Sequence, residues 1–277
     1  MKSPAIINHI SSWLDSYCIN ANMKGFIIGI SGGIDSAVTS TLCAMTGKKV
    51  IVVSMPIHQK SDQLERANEH MKWLCSNYQN VSILETDLTK SFDTISSSFP
   101  TTTQNHSLSM ANTRARLRML SLYAIGQSNN VLVAGTGKKI EDFGIRFFTK
   151  YGDGGVDLSP IADLTKSQIF ELAKELKIIE SIQVAKPTDG LWDVDRTDED
   201  QLGATYPELE WAMEFLQISI PTSGGIKFQS IHDFLENNTI QLNPRQLEVI
   251  KIYFKFNTAN KHKMEPIPVC LIPMDLK

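Results

Sequence analysis

Residues 29–38 read GISGGIDSAV: three glycines, two serines and one aspartate between the apolar run Phe26-Ile27-Ile28 and a second that starts at Ala37. A strand-to-helix turn of this make-up is an anion site, because the first amides of a helix have no intrahelical acceptor and point outward. Gly32 and Gly33 would let the backbone approach a phosphate closely, and Ser31 and Ser36 add hydroxyls on either side. A phosphate loop of the G-x-x-x-x-G-K-[ST] type would carry a lysine where this chain has Ile34-Asp35-Ser36. A carboxylate beside a phosphate is tolerable when a divalent cation lies between them, so Asp35 reads as a magnesium ligand. The glycine spacing also differs from the G-x-G-x-x-G turn of dinucleotide-binding sheets.

Three further groups could do chemistry. Residues 135–142, GTGKKIED, again follow an apolar run and place a carboxylate within a turn. Glu141 and Asp35 would supply one hard cation with oxygens from two elements if their strands are neighbours. Otherwise Glu141 serves only the dipole of a helix start. In the run 112–119, NTRARLRM, a helix puts Asn112 and Arg116 on one face and Arg114 and Arg118 on another. Leu117, Met119 and Leu120 lie among them, so at least one guanidinium sits near a buried edge, where arginine generally needs an anion. Finally FFTKYGDGGVD, 147–157, sets Lys150, Asp153 and Asp157 in a glycine-punctuated loop, more polar chemistry than a plain turn requires.

The elements that would position these groups alternate. Phe26–Ile28, Lys49–Met55, Val81–Leu84 and Val131–Ala134 read as strands. A helix follows the first, a second starts with Ser61 as its cap and runs toward Tyr78, and a third spans Ser107–Gln127. This order predicts an α/β fold with a doubly wound, mostly parallel sheet flanked by helices, and ligands beyond the carboxyl ends of the strands. Past Pro187 the alternation stops; 188–201 is acidic and irregular. A helix through Glu208, Trp211 and Phe215 follows, and another begins at Pro244. No linker separates a second domain, so 1–277 reads as one. With 27 Lys and Arg against 30 Asp and Glu, there is no basic field for nucleic acid or an anionic membrane surface. No apolar run approaches a membrane span, and the N-terminus lacks a signal-peptide core. The four cysteines are scattered, without metal or disulfide spacing, as in a reducing cytoplasm.

The loop SGGIDS resembles that of the N-type ATP pyrophosphatases, which cleave ATP between the α and β phosphates to activate a carboxylate as an adenylate. Together with NTRARLRM, AGTGKKIEDFG, FFTKYGDGGVDLSPIADLTK, PTDGLW, RTDEDQLGATYPELE and NKHKMEPIP, the chain resembles the ammonia-dependent NAD synthetases over nearly its whole length. The resemblance implies an adenine nucleotide α-hydrolase-like fold, a cytoplasmic homodimer, ATP as co-substrate and Mg2+ as cofactor. Deamido-NAD would be amidated by ammonia to NAD, releasing AMP and pyrophosphate. It implies that Gly29, Ser31, Gly32, Gly33, Ile34, Asp35, Ser36 and Thr136 bind ATP and that Asp35 and Glu141 hold the metal. Asn112, Arg116, Lys150, Asp153, Asp157, His262 and Lys263 would hold deamido-NAD. Residues 188–201 match a mobile segment that closes over the site. Lys186 falls one position later than a family lysine, and Asp200 stands where some relatives have threonine.

Ammonium dominates over ammonia at cytosolic pH, and a carboxylate in a closed site could bind it and take its proton; Asp153 is the candidate. With Asp35 and Lys150 it makes up the expected catalytic set. The chain has no room for the amidase domain of glutamine-dependent relatives, which makes free ammonia the expected donor. Two alternatives share the first loop: another ATP pyrophosphatase, such as a GMP synthetase-like amination enzyme, or a non-catalytic ATP-binding sensor. The first would lack FFTKYGDGGVD, and the second would be expected to have lost Asp35 or Glu141.

Overall fold

Four parallel strands, β1 (Gly25–Gly29), β2 (Lys49–Ser54), β3 (Val81–Glu85) and β4 (Leu132–Val133), form a sheet in the order β3-β2-β1-β4. The computed structural model describes residues 1–185, 198–218, 231–237 and 241–277. Side chains of a strand alternate between faces, and both faces here are apolar. Phe26, Ile28, Val50, Val52 and Leu132 pack on one side; Ile27, Ile51, Val53 and Val133 pack on the other. Helices α1 (Ser3–Asn20) and α2 (Ile34–Met45) contribute to the first side. Between β2 and β4 come α3 (Ser61–Asn77), α4 (Thr89–Ser97), the short α5 (Thr101–Gln104) and α6 (Ser107–Asn129). Met110 and Leu117 of α6 and Phe92 of α4 cover the second side.

Beyond β4 the backbone of Ala134 bridges in parallel to Leu158, extending the sheet edge by one contact. Then follow α7 (Lys166–Glu175), α8 (Glu180–Gln183), α9 (Asp198–Leu202), α10 (Tyr206–Ile218), α11 (Ile231–Asn237) and α12 (Pro244–Asn260). The last helices build their own apolar cluster from Tyr206, Leu209, Ala212, Phe234, Val249, Ile250 and Tyr253, joined by Ile140 and Ile145. Among the described residues no helix is long and apolar enough to cross a membrane.

The expected strands and helices are present, with shifted ends. Ser61 does not cap α3: Lys60, with extended backbone, takes that position and Ser61 is the first helical residue. The fourth strand shortens to two residues, although Ala134 keeps the sheet direction through its bridge. Helices α1, α4, α5, α7, α8, α9 and α11 are additions, α9 (Asp198–Leu202) partly within the stretch expected to be irregular. Two of them carry readable signals: a buried stripe Ile7, Ile10, Leu14, Cys18 in α1, and a capping box between Thr165 and Gln168 at α7. Pro244 does open α12, behind a capping box of Asn243 and Gln246.

Helix α2 must be held rigidly because the phosphate-loop residues form its first turn. Its inner face meets α3 through a buried polar pair, Ser40 and His70. The Ser40 hydroxyl donates to Ala37 O at 3.0 Å, so it accepts from His70 Nε2, also at 3.0 Å. The Nδ1 lone pair is left without a partner, and Trp73 stacks on the ring at 5.6 Å. Burial pushes this imidazole down to about 4, against a weaker opposing bond with Ala37. A depressed histidine gives stability that is complete above the unfolded value and is lost as pH falls through the folded one. Stability should therefore drop between pH 6.5 and 4, by about 3 kcal/mol from this group. Urea unfolding across that range, beside His70→Gln, measures it: the variant should show a flatter profile.

Candidate active site

The turn after β1 behaves as its composition suggests. Gly32 has φ +80°, and a Cβ there would lie 2.5 Å from Gln63 O, so only glycine fits. Gly33 N–H donates to Ser31 Oγ at 3.2 Å, and Ser36 Oγ donates back to Gly33 O at 2.9 Å. These bonds fold the loop over the start of α2. Ala37 N–H is the first to reach back, to Gly33 O, which leaves the amides of Ile34, Asp35 and Ser36 without intrahelical acceptors. The loop borders a cavity of about 520 Å³, shared with Thr136, Glu141, Asn112, Asp153 and Lys263.

β1 and β4 are neighbours, the condition on which the reading of Glu141 turned. Asp35 leaves the carboxyl end of β1, and Glu141 lies in a one-turn π-helix (Ile140–Gly144) after β4. The two carboxylates meet at one ammonium. Lys138 Nζ donates to Asp35 Oδ2 at 3.2 Å and to Glu141 Oε1, while itself only 1% exposed. Lys166, at the first turn of α7, donates to both oxygens of Asp35, at 3.1 and 2.9 Å. Burial raises the Asp35 carboxyl, but the two lysines outweigh it and hold the group below the usual carboxylate range. Tyr206 of α10 completes the group: its hydroxyl donates to Glu141 Oε1 at 2.5 Å, and Lys138 Nζ stands 4.7 Å over its ring.

On the facing wall Asp153 accepts the Thr149 N–H at 2.9 Å, and the Thr149 hydroxyl donates to Asn112 Oδ1 at 2.7 Å. Asp153 is open to solvent through the cavity, yet desolvation by its surroundings raises its carboxyl, against the Thr149 bond and with help from Glu141. Asp142, lying against Gly137, is pushed up to about 7 by burial, then by the charges of Glu141 and Asp153. Lys263 donates to Phe148 O at 2.7 Å and Arg146 O at 3.2 Å, which sets the FFTK segment against the end of α12.

Other expected residues stand outside this wall. Arg116 donates to Lys150 O at 3.3 Å and Lys150 Nζ donates to His262 O at 3.0 Å, a chain of contacts beside the cavity. The Asp157 carboxylate accepts from Tyr123 Oη at 3.1 Å and from Val133 N–H at 2.8 Å, on the far side of the sheet edge. Of the four-residue face pattern on α6, Asn112 and Arg118 line the cavity, and Arg118 is held by Met55 O and Gln59. Arg114 lies over the Phe92 ring at 4.6 Å. Lys186 and most of 188–201 lie outside the described residues; Asp200 falls within α9. Sequence reasoning missed Lys138, Lys166 and Tyr206 as site residues. Lys138 and Lys166 were both inside quoted blocks, and a lysine near two acid positions was the available signal.

A parallel sheet bearing a glycine-rich, carboxylate-carrying turn at the carboxyl end of its central strand defines an α/β nucleotide-binding protein. A family model described as NAD synthase matches residues 6–248. The chain belongs to that family. It is 37% identical over 213 residues to an NH(3)-dependent NAD(+) synthetase of Finegoldia magna, covering 76% of this chain and 84% of the relative. Among solved structures, an NMN synthetase from Francisella tularensis superposes with a TM-score of 0.77 at 30% identity, over 99% of each chain. An NH3-dependent NAD synthetase from Campylobacter jejuni, at 24% identity, shares the fold with a TM-score of 0.72 over 98% of this chain and 100% of that one.

Gly32→Ala tests the loop. The added methyl has no room beside Gln63 O, so ATP affinity measured by calorimetry should fall about tenfold or more, through a shifted loop rather than a lost contact.

Proposed function

We propose that this cavity performs ATP-dependent amidation of deamido-NAD with ammonia, giving NAD, AMP and pyrophosphate through an acyl-adenylate. The observation that carries the reading is the convergence of the loop, Asp35 and Glu141 on one cavity in a chain of this family. A carboxylate oxygen of the acid substrate attacks the α-phosphorus of ATP, and the P–O bond to the β-phosphate breaks. The charge that develops on the leaving pyrophosphate falls among the free amides at the start of α2, Ser31 and Ser36, with Lys166 nearby. Thr136, opposite the loop, completes that side.

Magnesium fits the donor set. Asp35 and Glu141 already share one cation, the Lys138 ammonium, so both can face a common positive centre. Both present hard oxygen ligands, and among the described residues no larger His, Cys, Asp and Glu group is assembled for a metal. Asp35 and Glu141 would hold the ion, which when bound spreads the negative charge of the phosphates. Water and phosphate oxygens would fill its remaining positions.

In the second half-reaction ammonia attacks the acyl carbon and AMP leaves. Asp153 binds ammonium and takes one proton from it, and its raised carboxyl suits a group that must accept and release a proton. Asn112 and Lys263 orient the acid substrate. Arg116, Lys150 and His262 act from the rim, where a homodimer partner would add the remaining contacts. The reaction belongs in the cytoplasm, where ATP and ammonium are at hand.

One observation favours a shorter acceptor as a second reading. Asp157 is spent on Tyr123 and Val133, and Lys150 and Arg116 are tied together outside the cavity wall. These were three of the expected dinucleotide contacts. With a relative described as an NMN synthetase, nicotinate mononucleotide becomes the acid to assay beside deamido-NAD.

Purified protein with ATP, magnesium, ammonium and either acid, each omitted in turn, decides. The amide product, AMP and pyrophosphate should appear together and only with all four present. AMP formed without dependence on either acid would leave the ATP site standing and remove the substrate. In Asp153→Asn the kcat/KM for ammonium should fall about 100-fold with ATP affinity kept; full activity at low ammonium would remove its role.

A further inference from the structure

Lys138 lies between the two carboxylates that the proposed function assigns to magnesium, and it is as buried as any core side chain. We infer that Lys138 is a resident counter-ion of the metal site, holding Asp35 and Glu141 together in the nucleotide-free protein and making divalent-metal binding conditional on the arrival of a polyphosphate. The inference rests on the assignment of Asp35 and Glu141 as the ligands.

Among the described residues the ion pairs of the bridge balance, with Asp142 a further acid beside Glu141. Two carboxylates, Asp35 and Glu141, face two ammonium groups, Lys138 and Lys166. A divalent cation approaching the two carboxylates meets both ammonium groups as well, which weakens its attraction and leaves part of its desolvation unoffset. Lys166 is bonded to both oxygens of Asp35 but to neither oxygen of Glu141, so a metal would share Asp35 with it. Lys138 occupies the space between the pair and must leave at least one carboxylate first. That departure is opposed by the Tyr206 ring beneath its ammonium and by the Tyr206 hydroxyl, which fixes Glu141 in place. A triphosphate changes the balance. It brings several negative charges to the amides at the start of α2, in the same turn as Asp35, and gives the Lys138 ammonium a new anion to face. Metal and nucleotide then bind with positive coupling, because each removes the obstacle to the other.

The test uses Mn2+ as the probe, followed by calorimetry or by the free-ion electron paramagnetic resonance signal, on the intact chain with and without a non-hydrolysable ATP analogue. Lys138→Met keeps the unbranched stem in its packed channel and removes the charge; Lys138→Gln is read in its place if the methionine variant does not fold. Without nucleotide the variant should bind Mn2+ about tenfold more tightly than the wild type, and with the analogue the gap should close. Equal affinities without nucleotide, or tighter binding by the wild type, overturn the role of Lys138. If Mn2+ binds no protein even with the analogue, or binds Asp35→Asn as well as it binds the wild type, the metal assignment itself fails and the inference falls with it.

Discussion

The ammonium of Lys138 reaches a carboxylate 103 residues earlier in the chain, and it does so only because β4 lies against β1. Parallel neighbours send their following turns out of the same edge of the sheet. The turn that carries Asp35 and the turn that carries Glu141 are therefore delivered to one place before any side chain is chosen. A pair of like charges so placed would repel, and the buried lysine turns that repulsion into a bond. Removing one partner from such a buried ion group typically costs about 3–5 kcal/mol, which makes the bridge a structural tie as well as a chemical site.

Around that tie the apolar packing is arranged in three bodies. Two fill the opposite faces of the sheet, and the third belongs to the terminal helices. The cavity lies where they meet. Ile140 and Ile145, from the segment that contains Glu141, pack into the helical cluster, whereas the loop of Asp35 starts a helix packed on the sheet. Walls from separate packing units suit a reaction in which a large nucleotide, a second large substrate and a small nitrogen donor must enter and be kept from water.

Much of this could be read in the residues, for definable reasons. The phosphate turn is a local matter: Gly32 and the serines act within a few residues, so their types announce the geometry. The strands were legible because runs such as Val50–Val53 are buried on both faces and contain little else. Whether Glu141 could act with Asp35 was not legible, since it depended on strand order, which no local pattern records. The arginine helix shows the same limit. Periodicity divides Asn112 and Arg116 from Arg114 and Arg118, but the cavity takes Asn112 and Arg118, because it is lined by the face that runs through Ala111, Ala115, Met119 and Leu122, with those two at its margins. Lys138 was hidden by expectation: a lysine next to another lysine reads as solvated, and only the fold reveals that one of the two is enclosed while Lys139 pairs with Asp163 at the surface.

Tyr206 belongs to two worlds at once. Its ring is a 2%-exposed member of the helical cluster, and its hydroxyl holds the oxygen of Glu141. A substitution that displaced Tyr206 within that cluster would therefore also take a hydrogen bond from the Glu141 carboxylate, without a signal crossing the sheet. By the same bond, a ligand that moved Glu141 would act on the packing of Tyr206. The terminal helices thus form a lever on the chemistry, with one phenol as its fulcrum.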